Sequence, residues 1–294
     1  SSPVTAWTSS SRLSPYLAWG NLSMRQVLQA SRARVDQLRD RPTPAQRDWA
    51  RSIEAFVKRL HWHCHFIQKL EDQPDIEFRN LSRACDGLRD ERPNRALLDP
   101  WCQGRTGYPL IDSCMRALHA GGWINFRMRA MLMSFASYHL WQHWREPSLH
   151  LARLFLDFEP GIHFSQIQMQ SGTTGINAVR IYSPVKQVRD QDPEGIFIRR
   201  WCPELRGVPD AYLPRPQTMP LSVQQTAGCI IGKDYPAPIV DNGQAYMSAR
   251  RRMQAQRASA AARQESAHIY QRHGSRKRPR TTSGPTEPKK PAAH

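Results

Sequence analysis

The sequence predicts an all-α fold. Amphipathic helical periodicity recurs along most of the chain, few segments alternate apolar and polar residues as strands do, and no internal repeat is found. With 294 residues, of which 39% are hydrophobic, the chain is long and apolar enough to bury a sizeable core. We therefore expect one large helical domain or two ordinary ones.

The first predicted helices lie in the N-terminal third of the chain. Residues 1–11 are polar and Ser-rich, which is typical of a linker or a fragment end, and we assign residues 1–8 to that class. Helical periodicity begins at Leu22, and Ser23 is an expected N-cap. The Pro42-Thr43-Pro44 segment should end this helix and start the next. Residues 72–100 are polar and Arg-rich and predict short helices at best.

The central part of the chain predicts further helices and one loop. Nearly every segment of residues 111–158 fits an amphipathic helix. Residues 157–182 differ, because prolines, glycines and polar side chains interrupt the apolar ones, and we predict a ligand-lining loop held on a helical scaffold. A short helix is expected over residues 196–201, followed by an extended Pro-rich segment over residues 214–238.

The charge of the chain is strongly positive. Lys and Arg number 42 against 25 Asp and Glu, which gives +17 and a pI near 10.3. Such a balance favours polyanions through counterion release, and nucleic acid is the first candidate; the alternative is a solvated basic surface without a partner. Residues 250–294 hold twelve Lys or Arg and two Asp or Glu. Residues 247–294 are predicted to begin as a basic helix and to become a largely disordered tail.

Cysteine usage and hydropathy predict a cytoplasmic chain without membrane insertion. None of the six cysteines forms a C-x-x-C pair, which favours reduced thiols. No cationic segment followed by an apolar one opens the sequence, as a signal peptide would require. The longest apolar stretch, residues 131–144, contains five polar side chains and is too short to span a bilayer, so we expect a buried helix there.

Two local motifs carry possible chemistry. His61 and His65 have the i, i+4 spacing of a helical zinc pair. No third ligand follows at a sequence spacing typical of zinc sites, so we predict no metal site. The segment of residues 9–15 places hydroxyl groups and Arg12 just ahead of a predicted helix, where they could hold phosphate oxygens. Composition alone fits an ordinary Ser-rich helix cap equally well.

Two Arg and two carboxylates form a second constellation. Arg127 and Arg129 lie on an otherwise apolar helix, and Asp157 and Glu159 begin the predicted loop. Because buried charges must be paired, an Arg–Asp bridge is expected. The bridge could be purely structural, or it could stand beside a cofactor.

Nine stretches in a fixed order resemble the FAD-binding domain of the DNA photolyase/cryptochrome family. The resemblance covers residues 9–246, and the ordered set is far more specific than any one motif. The stretches are residues 11–20 (SRLSPYLAWG), 104–112 (GRTGYPLID), 115–118 (MRAL), 121–123 (GGW), 127–129 (RMR), 144–146 (WRE), 174–175 (TG), 194–205 (EGIFIRRWCPEL) and 234–240 (DYPAPIV).

The resemblance implies a helical domain that holds FAD in a folded shape in a central cavity. Arg129 would pair with Asp157 beside the isoalloxazine ring, and Glu159 would be a second carboxylate near the flavin. Trp62 would pack against a DNA lesion turned out of the duplex, and Arg127 would lie on the DNA-facing side. The residues implied near the FAD phosphates are Ser10, Ser11, Arg12, Leu13, Ser14 and His63.

Several positions depart from the family pattern. His163 stands where relatives carry Asn or another small polar residue facing the flavin, and we assign it a catalytic position with Trp62 and Arg129. Ile167 and Met169 stand where many relatives have tryptophans, and Ile167 takes the place of the flavin-proximal tryptophan of the electron-relay triad. Phe126 replaces an Asn on the DNA-facing side, and His63 replaces an Arg. The pattern resembles a divergent bacterial photolyase-like branch that lacks the usual tryptophan triad.

The resemblance implies blue-light-driven, FAD-dependent repair of pyrimidine dimers, with UV-damaged DNA as the partner in a bacterial cytoplasm or nucleoid. Two alternatives stay open: a cryptochrome-like photoreceptor that signals to a protein without repairing DNA, and a helical DNA-binding protein that has lost its flavin. The α/β antenna domain that precedes this domain in the family is not present in the sequence. We therefore expect no antenna chromophore on this chain, and a fragment rather than a short form.

Overall fold

A computed structural model describes residues 2–39 and 43–273 of the chain. Within these ranges the structure is helical, and its only β-type pairing is an isolated bridge between Ile231 and Tyr235, so the all-α prediction is confirmed. The helices are α1 Ala6–Ser9, α2 Ser14–Ala18, α3 Met24–Gln37, α4 Pro44–Asp72, α5 Arg95–Gln103, α6 Pro109–Gly121, α7 Phe126–Ser134, α8 Arg145–Leu154, α9 Pro160–Ser171, α10 Pro184–Gln191, α11 Ile196–Trp201, α12 Leu221–Thr226, α13 Asn242–Ala258 and α14 Ala260–His273.

Local capping explains why the first long helices begin where the sequence predicts. Ser23 accepts a hydrogen bond from the Gln26 backbone N–H at 3.2 Å, and the Gln26 side chain accepts one from the Ser23 N–H at 2.9 Å. Thr43 and Gln46 form the same reciprocal arrangement at the start of α4. Each pair satisfies two backbone donors that a helix terminus would otherwise leave free.

The core surrounds α6, which is buried over most of its length. Its Asp112 carboxylate is fully buried and accepts hydrogen bonds from the Thr106 hydroxyl (2.6 Å), the Gly107 N–H (3.0 Å) and the Tyr235 hydroxyl (2.6 Å). Burial raises the pKa of this carboxyl, and its hydrogen bonds oppose the rise. Asp112 thereby ties the start of α6 to a segment more than a hundred residues later in the chain. Helices α4, α7, α8 and α9 pack together beside α6 and enclose the cavity described below.

The predicted loop over residues 157–182 is wrong for its first half, because α9 occupies residues 160–171. Pro160 lies in the first turn, where a missing N–H costs nothing, and Gly172 ends the helix in the left-handed conformation (φ +75°). A Cβ at Gly172 would lie 2.6 Å from the Tyr138 hydroxyl oxygen. Two of the residues that suggested a loop, Pro160 and Gly172, are the start and stop signals of a helix. The Pro-rich segment is likewise not fully extended, since it contains α12 and a 3₁₀ turn at Pro216–Thr218.

Residues 2–8, expected as a linker or fragment end, pack against the folded body. Ala6 is buried, and the Trp7 ring packs edge-on against Trp123 with 5.3 Å between ring centroids. The Ser2 hydroxyl donates a hydrogen bond to the Gln191 carbonyl oxygen.

The basic helix predicted at the start of the tail is present as α13 and α14, and it stays ordered further than expected, as far as residue 273. Met253 of α13 and Ile269 of α14 are buried. The Glu265 carboxylate accepts hydrogen bonds from the Ser82 hydroxyl (2.9 Å) and from the backbone N–H groups of Arg83 (2.6 Å) and Ala84 (2.5 Å). The rest of the predicted tail, residues 274–294, lies outside the described residues.

No helix in the described ranges has the length and apolar character needed to cross a membrane.

Candidate functional site

A cavity of about 430 Å³ lies between α2, α4, α7 and α9. Its size falls within the range of small-molecule sites, and its wall is mostly apolar with a few convergent polar groups. Eleven of the thirteen site residues expected from the sequence line it: Ser10, Ser11, Arg12, Leu13, Ser14, His63, Phe126, Arg129, Asp157, Glu159 and His163.

Arg129 and Asp157 form the predicted ion pair in the cavity wall. The guanidinium donates to both carboxylate oxygens, with Nη1–Oδ1 at 2.9 Å and Nη2–Oδ2 at 2.8 Å. Arg129 Nε also donates to the Ile124 carbonyl at 2.8 Å, and the guanidinium lies 4.2 Å from the Phe155 ring centroid. The Asp157 side chain is 3% exposed. A bidentate pair with two further restraints fixes a charged group at one place on the wall.

The N-terminal serines differ in what they can offer a ligand. The Ser10 hydroxyl donates to the Ala6 carbonyl, so its proton is already engaged. Ser14 Oγ accepts from Trp123 Nε1 at 3.2 Å, which leaves the Ser14 proton free to donate. Arg12 adds a cation at the same end of the cavity and has a left-handed backbone (φ +51°). Ser14 and Arg12 therefore suit phosphate oxygens better than Ser10 does.

Two polar atoms of the cavity wall are buried without a hydrogen-bond partner. They are Nδ1 of His63 on α4 and Oε1 of Gln166 on α9. Burial lowers the pKa of His63, and the nearby Glu159 carboxylate partly opposes this. A buried polar atom without a hydrogen-bond partner destabilises the fold. Both atoms are therefore suited to hydrogen bonds with a polar ligand in the cavity. A flavin dinucleotide, which carries ring nitrogens, ribityl hydroxyls and phosphates, meets this requirement.

Glu159 is positioned by its helix. Its carboxylate accepts from the Gly161 N–H at 3.3 Å and caps α9. Gly161 lies against the α4 backbone, where a Cβ would come within 2.8 Å of the Phe66 carbonyl oxygen. This close approach brings Glu159 and the first turn of α9 to the cavity.

His163 is a buried, neutral side chain. Its Nε2 lies 3.1 Å from the Ser148 carbonyl oxygen and 3.0 Å from the Ser148 hydroxyl. Since a carbonyl can only accept, Nε2 is assigned the ring proton. Burial lowers the pKa of His163 to about 4. The imidazole therefore brings no positive charge to the cavity at neutral pH.

The burial of His163 should make the free energy of unfolding depend on pH. An unfolded histidine has a pKa near 6.5. Between about pH 6.5 and 4, the unfolded chain therefore binds a proton at this residue and the folded chain does not. The free energy of unfolding consequently falls as the pH falls through this range. Replacing His163 by Asn removes this contribution. The loss of unfolding free energy between pH 7 and 4.5, measured with urea, should be smaller in the variant by on the order of 2 kcal/mol. An equal loss in both proteins would contradict a buried neutral His163.

Two predicted site residues do not line the cavity. Trp62 lies on α4, is 46% exposed and packs against His65 and Phe66 of the same helix. Arg127 follows Phe126 on α7 but faces a separate groove. The expected roles of Trp62 and Arg127 toward DNA stay predictions.

Further lining residues were missed because they lie on helix faces rather than in motifs. On α4, Phe56 and Leu60 precede His63 by seven and three residues. On α9, Gln166 and Gln170 follow His163 at i+3 and i+7. These spacings place them on the same face as the predicted residue. A helix prediction over residues 160–171 would have identified the two glutamines.

A basic groove of about 970 Å³ is lined in part by the same helix, α7. Its wall holds five cationic side chains and no carboxylate, with Tyr182 and Tyr246 between them. The cations are Arg127, Arg180, Arg250, Lys186 and Arg257. Within the described ranges, no carboxylate forms an ion pair with Arg127, Arg180 or Arg250. In addition, Arg127 Nε is buried without a hydrogen-bond partner.

The groove and the cavity share one helix. Phe126 and Arg129 of α7 line the cavity, whereas Arg127, between them in sequence, lines the groove. The groove is assembled from α7, the segment before α10, α10 itself and α13. Unpaired cations without nearby carboxylates are the electrostatic signature of a surface for polyanions.

Comparison with known proteins gives a consistent family assignment. The family model described as "FAD binding domain of DNA photolyase" matches residues 56–255. A deoxyribodipyrimidine photo-lyase of Alkalihalophilus pseudofirmus is 31% identical over 238 residues, which cover 80% of this chain and 47% of the relative. Cryptochrome-1 of Aedes aegypti is 31% identical over 186 residues, covering 62% of this chain and 34% of the relative.

A solved structure shares the fold. The class III photolyase of Agrobacterium tumefaciens superposes with a TM-score of 0.76 at 28% identity, covering 86% of this chain and 50% of that one. The chain thus spans half the length, or less, of these full-length proteins.

Proposed function

The chain belongs to the DNA photolyase family as an FAD-binding domain, and on this premise we propose that it repairs pyrimidine dimers in DNA by blue-light-driven electron transfer from FAD. The observation that carries the proposal is the position of α7. This one helix lines both a cavity holding the Arg129–Asp157 pair and a groove that is basic and free of carboxylates. Repair requires both a cofactor site and a phosphate-binding surface within reach of one nucleotide.

The cavity residues fit FAD in two regions. Ser11, Ser14 and Arg12 would hold the phosphates, because they supply hydroxyl donors and a cation at one end. Arg129, Asp157 and Glu159 would lie along the ring system. His63 Nδ1 and Gln166 Oε1, which lack partners, would gain them.

FAD, when bound, supplies the light-excited electron donor, and the chain provides the environment. Apolar side chains such as Met133, Phe155 and Ile167 exclude water from the cavity. Arg129 holds positive charge against its wall, with Asp157 limiting the net charge. Neutral His163 adds none. An environment of this kind favours an electron-rich ligand without opening the site to solvent.

The groove would bind the DNA backbone. Arg127, Arg180 and Arg250 would displace counterions from phosphates, which supplies affinity that does not depend on sequence. Extrusion of a base costs a few kcal/mol, and least at a damaged site that already stacks poorly. A backbone held in the groove would bring such a base to the mouth of the cavity.

A cryptochrome-like photoreceptor is the second candidate function. The mosquito cryptochrome has the same 31% identity as the bacterial photolyase, over 186 residues against 238. In addition, α14 lies beyond the residues that match the family model and is anchored to the body through Glu265. A helix anchored in this way could transmit a change at the cavity to a protein partner.

One experiment separates these functions. The purified protein is reconstituted with FAD, its visible spectrum is recorded, and an oligonucleotide containing a cyclobutane thymine dimer is followed under blue light with a thiol reductant. We expect flavin absorbance and light-dependent loss of the dimer, with a dark sample as control. Flavin absorbance without dimer loss would favour the photoreceptor. A protein that takes up no FAD would contradict both.

A further inference from the structure

Phe126 is an exposed aromatic ring that lines the cavity, and the next residue in sequence lines the groove. Phe126 is 59% exposed and begins α7. Two other exposed rings each face a guanidinium, Trp49 that of Arg34 at 4.4 Å and Phe78 that of Arg145 at 5.7 Å. Three exposed rings without such a neighbour, Tyr16, Trp19 and Tyr270, do not line the cavity. In the described ranges, Phe126 has no aromatic or guanidinium group within stacking range. A large apolar surface left uncovered beside a ligand cavity indicates a missing partner.

The adjacent residue indicates what that partner is. Arg127 faces the carboxylate-free groove and has a buried Nε without a hydrogen-bond partner. An aromatic ring and an unpaired guanidinium on consecutive residues match a nucleotide, which joins a planar base to a phosphate. An apolar peptide would satisfy the ring but not the guanidinium.

Trp62, the other aromatic side chain expected to contact an extruded base, is placed differently. The Trp62 ring already packs against His65 and Phe66, with 5.7 and 5.8 Å between ring centroids, and lies outside the cavity wall. Phe126 lines that wall. A base entering the cavity next to Arg127 in the chain would therefore meet Phe126.

We propose that Phe126 is the stacking platform for an extruded nucleobase, and that Arg127 holds the phosphate of the same nucleotide. The inference rests on the proposed function, because it requires DNA in the groove. It moves the lesion-contacting role from Trp62 to a residue where the family pattern has a small amide. Stacking on an aromatic side chain tolerates any base, so Phe126 would select extruded bases without reading their sequence.

Binding of labelled duplexes in the dark tests the proposal. One duplex carries a single bulged thymine, and the other is fully paired. Phe126→Leu keeps an apolar side chain without the ring. We expect it to weaken binding to the bulged duplex about tenfold, as loss of one base–aromatic stack should, while binding to the paired duplex changes less than twofold. The salt dependence of both should stay unchanged, because no charge is removed.

Three variants control the test. Phe126→Trp should restore the preference for the bulged duplex, because it restores an aromatic face. Phe78→Leu removes a ring of similar exposure far from the cavity wall and should change neither affinity. Trp62→Leu tests the other platform. Equal weakening on both duplexes by Phe126→Leu, or a bulge preference that depends on Trp62 alone, would overturn the proposal.

The proposal and the function beneath it can fail separately. If the wild-type protein binds neither duplex, the DNA-repair function and the stacking role both fail. If the protein binds DNA through the groove and repairs dimers, but Phe126→Leu leaves the bulge preference intact, only the stacking role is wrong.

Discussion

Asp157→Ala is expected to give a folded protein that loses most of its FAD on gel filtration. The Asp157 side chain is almost fully buried and holds both terminal nitrogens of Arg129. Removing one partner of a buried pair costs about 3–5 kcal/mol, because the remaining charge is left uncompensated. Arg129 is 23% exposed, so solvent reduces this cost, and we expect roughly 1.5–3 kcal/mol. This cost to folding applies with and without FAD. FAD affinity should fall separately, because Arg129 without Asp157 loses its fixed position at the ligand; loss of one charged hydrogen bond, about 1.5–3 kcal/mol, weakens binding about ten- to a hundredfold.

A second ion pair provides a matched control. Arg116 and Glu204 are joined at 2.7 Å, with side chains 24% and 21% exposed, and neither lines the cavity. Glu204→Ala should lower the thermal unfolding midpoint, as Asp157→Ala does, but it should leave the ratio of flavin to protein at the wild-type value. The measurement is visible absorbance per mole of protein after gel filtration. Unchanged flavin content in Asp157→Ala would contradict the role of the pair at the cofactor.

The parts of the fold that the sequence predicts are those fixed by neighbouring residues. Ser23 and Thr43 cap their helices through residues three positions ahead, so both starts follow from a local pattern. The start and end of α9 are also set by neighbouring residues, but Pro160 and Gly172 are each compatible with two kinds of structure. Proline ends one helix and begins another, and glycine occurs both in loops and just after helices. Periodicity alone does not choose between these two kinds of structure.

The ordered C-terminal helices depend on distant contacts. Glu265 holds residues about 180 positions earlier in the chain, and composition gives no sign of this. A basic, apolar-poor segment is indeed typical of disorder, yet a few buried anchors such as Met253 and Ile269 are enough to order α13 and α14. Tertiary contacts of this range override the compositional signal.

The cavity and the groove likewise differ in how far the sequence predicts them. The Arg129–Asp157 pair follows from a rule that holds for any buried charge, together with the family resemblance. The groove follows from neither, because its cations come from separate parts of the chain and no two are adjacent in sequence. Net charge predicts that a basic surface exists, and only the fold brings Arg127, Arg180 and Arg250 to one place.

The triple variant Arg127→Gln, Arg180→Gln, Arg250→Gln is expected to weaken DNA binding at 0.1 M salt by roughly 500-fold. Each cation that neutralises a phosphate contributes about 0.9 to the slope of log K against log salt. Three of them account for about 2.7 units of slope, which corresponds to 2.7 decades of affinity at 0.1 M salt if the non-electrostatic part of binding is unchanged. The effect should be the same for damaged and intact duplexes, since phosphates carry no sequence information.

A charge-matched variant separates the groove from net charge. Arg25→Gln, Arg32→Gln, Arg206→Gln removes three exposed arginines that do not line the groove. Both triple variants lower the formal net charge from +17 to +14. If long-range attraction to the whole protein governs binding, the two variants should lose affinity equally, with equal slopes. If the groove holds the backbone, only the first should lose slope, because counterion release requires contact between a cation and a phosphate. Fluorescence anisotropy titrations between 50 and 200 mM salt decide between these outcomes, and equal slopes would remove the groove from the proposed function.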